Sequence, residues 1–209
     1  MNSLIPIFPL NLVIYPGSIY PLHIFEERYK KMINRVFTTD EGFGIVSVLD
    51  SEISKVGCLC KVEKIIRKYN DGKMDIYVKG YERFNTISSS VNTDGYFESH
   101  VEPYRDKDSS YNTEILFEVA LSRFTELLAK TKNDIDDFYF DNLERTKLKS
   151  YKLAEKSGLD LRQQQDLLII KSEKERLIYI SNHLEKLNKF IDSDVIVDKL
   201  VIGDGYINN

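Results

Sequence analysis

Tryptophan is absent from the 209 residues, and cysteine occurs only at Cys58 and Cys60. Two cysteines two residues apart share one face of a strand with offset side chains, a poor arrangement for a disulfide. A disulfide framework of the kind that staples small secreted domains is therefore excluded. The same pair, with three histidines scattered at 23, 100 and 183, supplies no zinc-ligand spacing, so no metal or other cofactor is expected. Cys58 and Cys60 read instead as small apolar strand residues. No apolar run approaches the roughly 20 residues of a membrane span. The apolar N-terminus has no Lys or Arg before Arg28 and is interrupted by Pro6, Pro9, Pro16 and Pro21. It lacks the basic flank and unbroken helix of a signal peptide, so a cytoplasmic protein is expected.

An excess of positive charge is also missing. Net charge is −4, with 42% hydrophobic and 30% charged residues, as in an ordinary soluble domain. Residues 1–105 hold 13 basic and 13 acidic side chains and residues 106–209 hold 16 and 20. Neither half resembles a nucleic-acid arm.

Catalytic signatures are missing as well. The Gly72-Lys73 pair has Arg67 where a P-loop needs Gly and Met74 where it needs Ser or Thr. No Gly-x-Ser-x-Gly elbow occurs, and isolated Ser and His residues do not make a triad.

What is present divides near Pro103–Ser110. The first half predicts short strands at Ile5–Phe8 and Leu12–Tyr15, with a Pro16-Gly17 turn. Pro21 is expected to open a helix, where its missing N–H costs nothing. Phe25, Tyr29, Met32, Ile33, Val36 and Phe37 form that helix's apolar stripe, with Glu26, Glu27, Arg28, Lys30 and Lys31 opposite. Strands follow at Phe43–Leu49 and Val56–Tyr69, the latter presenting Val56, Cys58, Cys60, Val62 and Ile66 on one face. Asn70-Asp71-Gly72 turns into Lys73–Val78, a hairpin. Tyr81–Val91 and Tyr96–Val101 complete a small barrel or rolled sheet.

The second half predicts four helices. Ile115, Leu116, Val119, Ala120, Leu127 and Leu128 mark the first. Leu143–Lys156 is the second, stopped at Gly158, and Leu161–Ile170 the third. The fourth opens on a Ser172-x-x-Glu175 capping box and continues through Leu177, Ile180, Leu184, Leu187 and Ile191. Its Glu173, Lys174, Glu175, Arg176, Glu185 and Lys186 read as a solvated face. The chain is thus expected to be α+β, with a β-rich barrel over 1–105, a helical bundle over 106–191 and a C-terminal tail over 192–209. The tail's β-branched residues suggest a short strand or a loose end.

One ordered series of residues is more specific than any of these patterns. It runs Ile5-Pro6-Ile7-Phe8-Pro9-Leu10, Tyr15-Pro16-Gly17 and Tyr20-Pro21-Leu22-His23-Ile24-Phe25-Glu26-Glu27-Arg28-Tyr29. It continues through Gly42-Phe43-Gly44-Ile45-Val46, Val56-Gly57 and Asn70-Asp71-Gly72 to Gly80-Tyr81-Glu82-Arg83-Phe84. This series resembles the opening of the substrate-binding N-terminal domain of Lon-type proteases. Tyr151-Lys152-Leu153-Ala154, Gln163–Leu168 and Glu175-Arg176-Leu177 extend the resemblance more loosely.

The resemblance implies a PUA-like pseudo-barrel with one embedded helix, followed by a helical bundle. It implies a stand-alone module that binds unfolded or extended polypeptides, an adaptor or regulator beside a protease, without the ATPase and Ser–Lys peptidase modules. Leu22, His23, Phe25, Arg28, Tyr29, Arg83 and Phe84 are the candidate contacts, where the motif and plausible exposure coincide. On their own terms His23 reads as a loop-fixing donor to a carbonyl, and Arg83 as the partner of an internal carboxylate or a cover for apolar surface. A peptide would sit in a groove where the barrel meets the bundle, or along an exposed sheet edge. The alternatives are a PUA-like nucleic-acid-binding protein, disfavoured by the neutral first half, and a small hydrolase with an unrecognised site.

Overall fold

The structure, a computed structural model, describes residues 3–107 and 112–193. It divides into two compact units, 1–105 and 106–209. The first carries β1 (Ser3–Leu10), β2 (Ile19–Ile24), α1 (Glu27–Thr39), β3 (Phe43–Leu49), β4 (Glu52–Ile53), β5 (Val56–Lys68), β6 (Met74–Val91) and β7 (Phe97–Pro103). The second carries α2 (Glu114–Thr131), α3 (Asp137–Arg145), α4 (Lys149–Ala154), α5 (Leu161–Ile169) and α6 (Glu173–Asp192). Mixed α+β architecture, strands first and helices after, follows directly.

In the first unit the strands run β1-β7-β6-β5-β3, and a parallel β1–β3 ladder returns the last to the first. Five strands thus close a ring. Closure removes the open edges that an antiparallel sheet otherwise exposes. β6 is continuous over 18 residues, where the sequence pattern predicts two strands. Its first half pairs with β2 and β5, and its second half with β7, the β5 pairing running on as far as Asn85.

Apolar side chains pack on both faces of the ring. One cluster joins Ile24, Tyr29, Met32, Ile33 and Val36 to Phe8, Phe43, Ile45, Cys58, Cys60, Met74, Ile76 and Val78. It seats α1 against the strands. The other gathers Ile7, Val46, Phe84 and Val101, with Ile5, Leu59 and Phe97 at its margin, so every strand of the ring contributes. Phe84 fits because the chain has glycine beneath its ring. A Cβ on Gly44 would stand 2.5 Å from the Phe84 ring, and one on Gly57 would stand 2.8 Å from it and 2.4 Å from the Ile45 carbonyl.

Several local expectations need correction. Leu12–Tyr15 is not a strand; Val13, Ile14 and Tyr15 are buried in an irregular connection that the Gly17 turn redirects. Pro21 does not open a helix but lies within β2, and α1 starts at Glu27. Phe25 and Phe37 leave the helix stripe and are exposed. Lys30, expected on the polar side, is buried. Its ammonium donates to the Asp71 carbonyl (3.0 Å), so the β5–β6 turn is fastened to α1. Ile66 is exposed too, because register shifts in β5 rotate the chain and leave Ile65 against the core.

In the second unit the predicted helix Leu143–Lys156 is two helices, α3 and α4, broken at Thr146–Leu148. The apolar stripe of α2 is Phe117, Ala120, Phe124, Leu127 and Leu128, whereas Ile115 and Val119 are exposed. That stripe packs on Leu177, Ile180 and Leu184 of α6, and Arg123 bonds to the Ser181 carbonyl at 3.0 Å. The reciprocal capping box belongs to α5, between Asp160 and Gln163. At α6 the Ser172 hydroxyl accepts from the Glu175 N–H. Residues 194–209, most of the expected tail, lie outside the described residues.

The largest departure from expectation is Arg176. It is fully buried rather than part of a solvated face. Its guanidinium makes two parallel bonds to Asp106 (2.9 and 2.7 Å), donates to Glu173 (2.8 Å) and to the Ile170 carbonyl (2.8 Å), and lies over the Tyr151 ring. Glu173 also accepts from the Ser150 N–H and hydroxyl. Burial works against the charge, and Asp106 and Glu173 outweigh it, so the group stays protonated.

Two stability predictions follow from these contacts. Phe84→Ala empties the space inside the ring and is expected to lower stability by about 3–5 kcal/mol. Asp106→Ala leaves a buried guanidinium short of its bidentate partner and is expected to cost about 3 kcal/mol. Urea unfolding of each variant measures both, and losses below about 1 kcal/mol would contradict these assignments.

Candidate binding site on the β2 edge

The seven candidate residues separate into two groups. Tyr29, Arg83 and Phe84 are buried, at 5%, 6% and 3% exposure, and cannot meet a ligand at the surface. Tyr29 packs against Phe8, with ring centroids 4.0 Å apart and ring planes tilted by 31°. Arg83 lies over the Tyr104 ring, and its carbonyl accepts from the Tyr104 N–H at 2.9 Å. These three build the framework, which corrects their expected exposure.

Leu22, His23, Phe25 and Arg28 stay together where β2 runs out toward α1. The reason is the alternation of β2. Tyr20, Leu22 and Ile24 turn inward, with Tyr20 and Leu22 half-buried against the α1 core. Ile19, Pro21 and His23 turn outward. Phe25 follows the strand and is 59% exposed, its ring stacked near His23 at 6.1 Å. Arg28, half-buried, bonds Glu26 at 2.8–2.9 Å and lies over Tyr29.

His23 does not donate to a carbonyl. Its Nδ1–H donates to Asp75 Oδ1 at 2.6 Å, and the Tyr69 hydroxyl donates to Asp75 Oδ2 at 2.7 Å. Because the carboxylate can only accept, the Nδ1 proton is assigned by this contact. The two donors, His23 first, hold the Asp75 carboxyl below its ordinary range. The Asp75 bond in turn raises Tyr69. The pair cross-links β2 to β6 at the tip of the β5–β6 hairpin. Sequence reasoning missed Asp75 and Tyr69; the Asn-Asp-Gly turn fixes the β5–β6 register and so sets Asp75 opposite Arg67, whereas its pairing with His23 depends on β2 coming alongside β6.

β2 is bonded to β6 on one side, and no strand pairs with its other side among the described residues. Pro21 suits such a position. The Gly80 N–H donates to the Ser18 carbonyl at 2.9 Å. Alternation from that pair puts the main chain of Tyr20 and Leu22 toward β6, and that of Ile19, Pro21 and His23 away from it. The missing N–H of Pro21 therefore costs no ladder bond.

Among the described residues no group of three or more His, Cys, Asp or Glu could hold a metal ion. Cys58 and Cys60 are buried free thiols, and burial raises Cys60. No described helix is long and apolar enough to cross a membrane.

A closed barrel with one embedded helix and a lateral edge strand, followed by a helical unit, defines a two-part α+β class of protein. The chain belongs to the ATP-dependent protease La (LON) substrate-binding domain family, whose model matches residues 4–186. Among its relatives are a Lon protease of Flavobacterium johnsoniae, 25% identical over 88% of this chain, and Lon protease 2 of Syntrophobacter fumaroxidans, 27% identical over 87%. The alignments cover 24% and 25% of those proteins, so the chain spans about a quarter of their length. No ATPase or peptidase domain is among the matches.

Two solved structures share the fold. The Lon N-terminal domain protein from Xanthomonas campestris superposes with a TM-score of 0.62 at 24% identity, covering 84% of this chain and 95% of that one. The N-terminal domain of Mycobacterium avium complex Lon protease gives 0.65 at 15%, covering 88% and 98%.

The His23–Asp75 contact predicts a pH effect with a definite sign. A depressed folded-state pKa adds stability that is present at neutral pH and fades as pH falls through the acid range. His23→Ala removes the leading cause, so the Asp75 carboxyl should titrate closer to the unperturbed 3.8. Carbon-detected NMR of the Asp75 carboxyl through an acid titration reads this directly. An unchanged midpoint would show that His23 does not hold the proton acceptor.

Proposed function

We propose that this chain is a non-catalytic polypeptide-binding module, which holds unfolded or extended segments and serves as an adaptor or regulator of proteolysis in the cytoplasm. The family is a substrate-binding one, which supports substrate recognition as its role. The observation that carries the reading to particular residues is the exposure of Phe25 and His23 beside an edge strand with one free side. An exposed aromatic beside unpaired main-chain groups is the combination that β-strand addition uses: the main chain supplies affinity, and adjacent side chains supply selectivity. Leu22, half-buried beneath, and Arg28 at the start of α1 complete the contact set. Tyr29, Arg83 and Phe84 support it from inside.

Hydrogen exchange of the full chain, with and without a permanently unfolded model protein, tests this reading. Slower exchange is expected along Ile19–Phe25, and Phe25→Ala is expected to weaken binding by about 1 kcal/mol or more. No protection in any segment, at concentrations far above those of weak binding, would overturn it. Turnover of peptide or ester substrates that survives re-purification would overturn the non-catalytic part.

A further inference from the structure

Across β2, β6 and β5 the register sets Ile19 beside Lys79 and Lys61, Pro21 beside Tyr77 and Lys64, and His23 beside Asp75 and Arg67. Directly paired residues point to the same side of a sheet, so these nine side chains form one outward surface. Three of its cations come from β5 at every third position, a spacing that a regular strand cannot keep on one face. Register shifts between Val62 and Lys64 and between Ile65 and Arg67 make it possible. Each inserts one extra residue and returns the next cation outward, while Val62 and Ile65 remain against the core.

The result is Lys61, Lys64, Arg67 and Lys79 on one surface of a unit whose charges balance overall. Asp75 is the one acid among the nine positions, and His23 and Tyr69 already occupy its oxygens. Lys61 is paired with Asp40 at 2.9 Å. Ile19 and Tyr77 add exposed apolar area between the cations.

We propose that an extended, acidic polypeptide segment binds here, its main chain continuing the sheet along the free side of β2. This rests on the polypeptide-binding reading above and names the substrate class. The edge offers N–H groups of Ile19 and His23 and carbonyls of Ile19, Pro21 and His23. Pro21 leaves a gap among the donors, so the edge suits a short segment and resists open-ended sheet growth. At roughly 4.8 Å per strand, an added strand runs about 10 Å from β6 and about 14 Å from β5. A Glu side chain on it reaches Lys79 directly, whereas the field of Lys64 and Arg67, more than the roughly 8 Å Debye length of physiological salt away, contributes mainly at low salt. Apolar or aromatic side chains of the segment lie on Ile19 and Tyr77. A nucleic-acid strand would use the cations and tyrosines but not the outward N–H and C=O groups, so the edge favours polypeptide.

The test is fluorescence anisotropy on the full chain with three probes: a labelled peptide carrying Glu, Tyr and Val together on each strand face, its Gln counterpart, and an oligo-dT strand. The Glu peptide should bind tighter than the Gln peptide at low salt, with the gap narrowing as salt rises. Lys79→Glu should weaken it about tenfold or more and Lys64→Glu less, with Lys79→Gln between wild type and Lys79→Glu. Unchanged circular dichroism confirms that the variants fold. Bound Glu peptide should slow exchange at the Ile19 and His23 amides. Equal binding of both peptides would overturn the acidic selectivity and leave polypeptide binding standing. Tighter oligo-dT binding without protection of those amides would make the face a nucleic-acid surface. Binding of the unfolded model protein but of neither peptide would remove the site from this face, and binding of neither would sink the polypeptide reading itself.

Discussion

Every N–H and C=O taken out of water must find a partner, and in the first unit β6 carries most of that demand. It is bonded to β2 and β5 over Met74–Lys79 and to β5 and β7 at Phe84 and Asn85, and its last residues, Ser88–Val91, pair with β7 alone. That change of partner lets five strands close with one parallel return from β3 to β1. It also leaves β2 outside the ring, paired on one side only among the described residues. The free side of β2 is thus a consequence of how the ring closes. A proline in its middle is what an outward-facing main chain tolerates and what an inner strand could not.

Closure also decides what the most specific motif of the sequence does. Gly44, Gly57 and Phe84 fall in three separate stretches of the series, yet they meet in one place, because the ring of Phe84 occupies the volume that Cβ atoms would need. Much of that motif therefore encodes packing. Its surface part is confined to the turn from β2 into α1, where strand alternation sends His23 outward and the chain leaves the sheet before Phe25. The second unit has its own internal constraint. Arg176 ties Asp106, just after the β-rich unit ends, to Glu173 and the Ile170 carbonyl, so the entry to the helical unit is fixed by a buried, fully bonded charge.

Periodicity made the regular parts legible. The α1 core positions Tyr29, Met32, Ile33 and Val36, strand β3, the hairpin turn and the inward set Met74, Ile76 and Val78 all follow from a 3.6 or 2.0 repeat with clear punctuation. What was not legible depends on a partner elsewhere in the chain. Pro21 is equally at home at a helix start and on an edge strand, and the choice rests on whether another strand comes alongside. Arg176 reads as solvated because nothing in α6 reveals that Asp106 reaches back to it from 70 residues away. Of the candidate site, the surface residues His23 and Phe25 could be named from the motif. The separation of Tyr29, Arg83 and Phe84 from them could not, since burial follows from closure.

The β5 bulges give β5 a face that strict alternation does not predict, and that face adjoins β2 and β6. Strict alternation puts Ile66 with Val62 and Cys60, and on that reading Lys61, Glu63, Ile65 and Arg67 would share the outer face. Two inserted residues replace that set with Lys61, Lys64 and Arg67, drop Glu63 from the paired positions and carry Ile65 inward. The same insertions that spoil the sequence pattern thus concentrate positive charge. A count over residues 1–105 gives zero and conceals this, because a count has no faces. Charge on a neutral domain acts locally only where register gathers it, and here register gathers it beside a strand that, among the described residues, is paired on one side only.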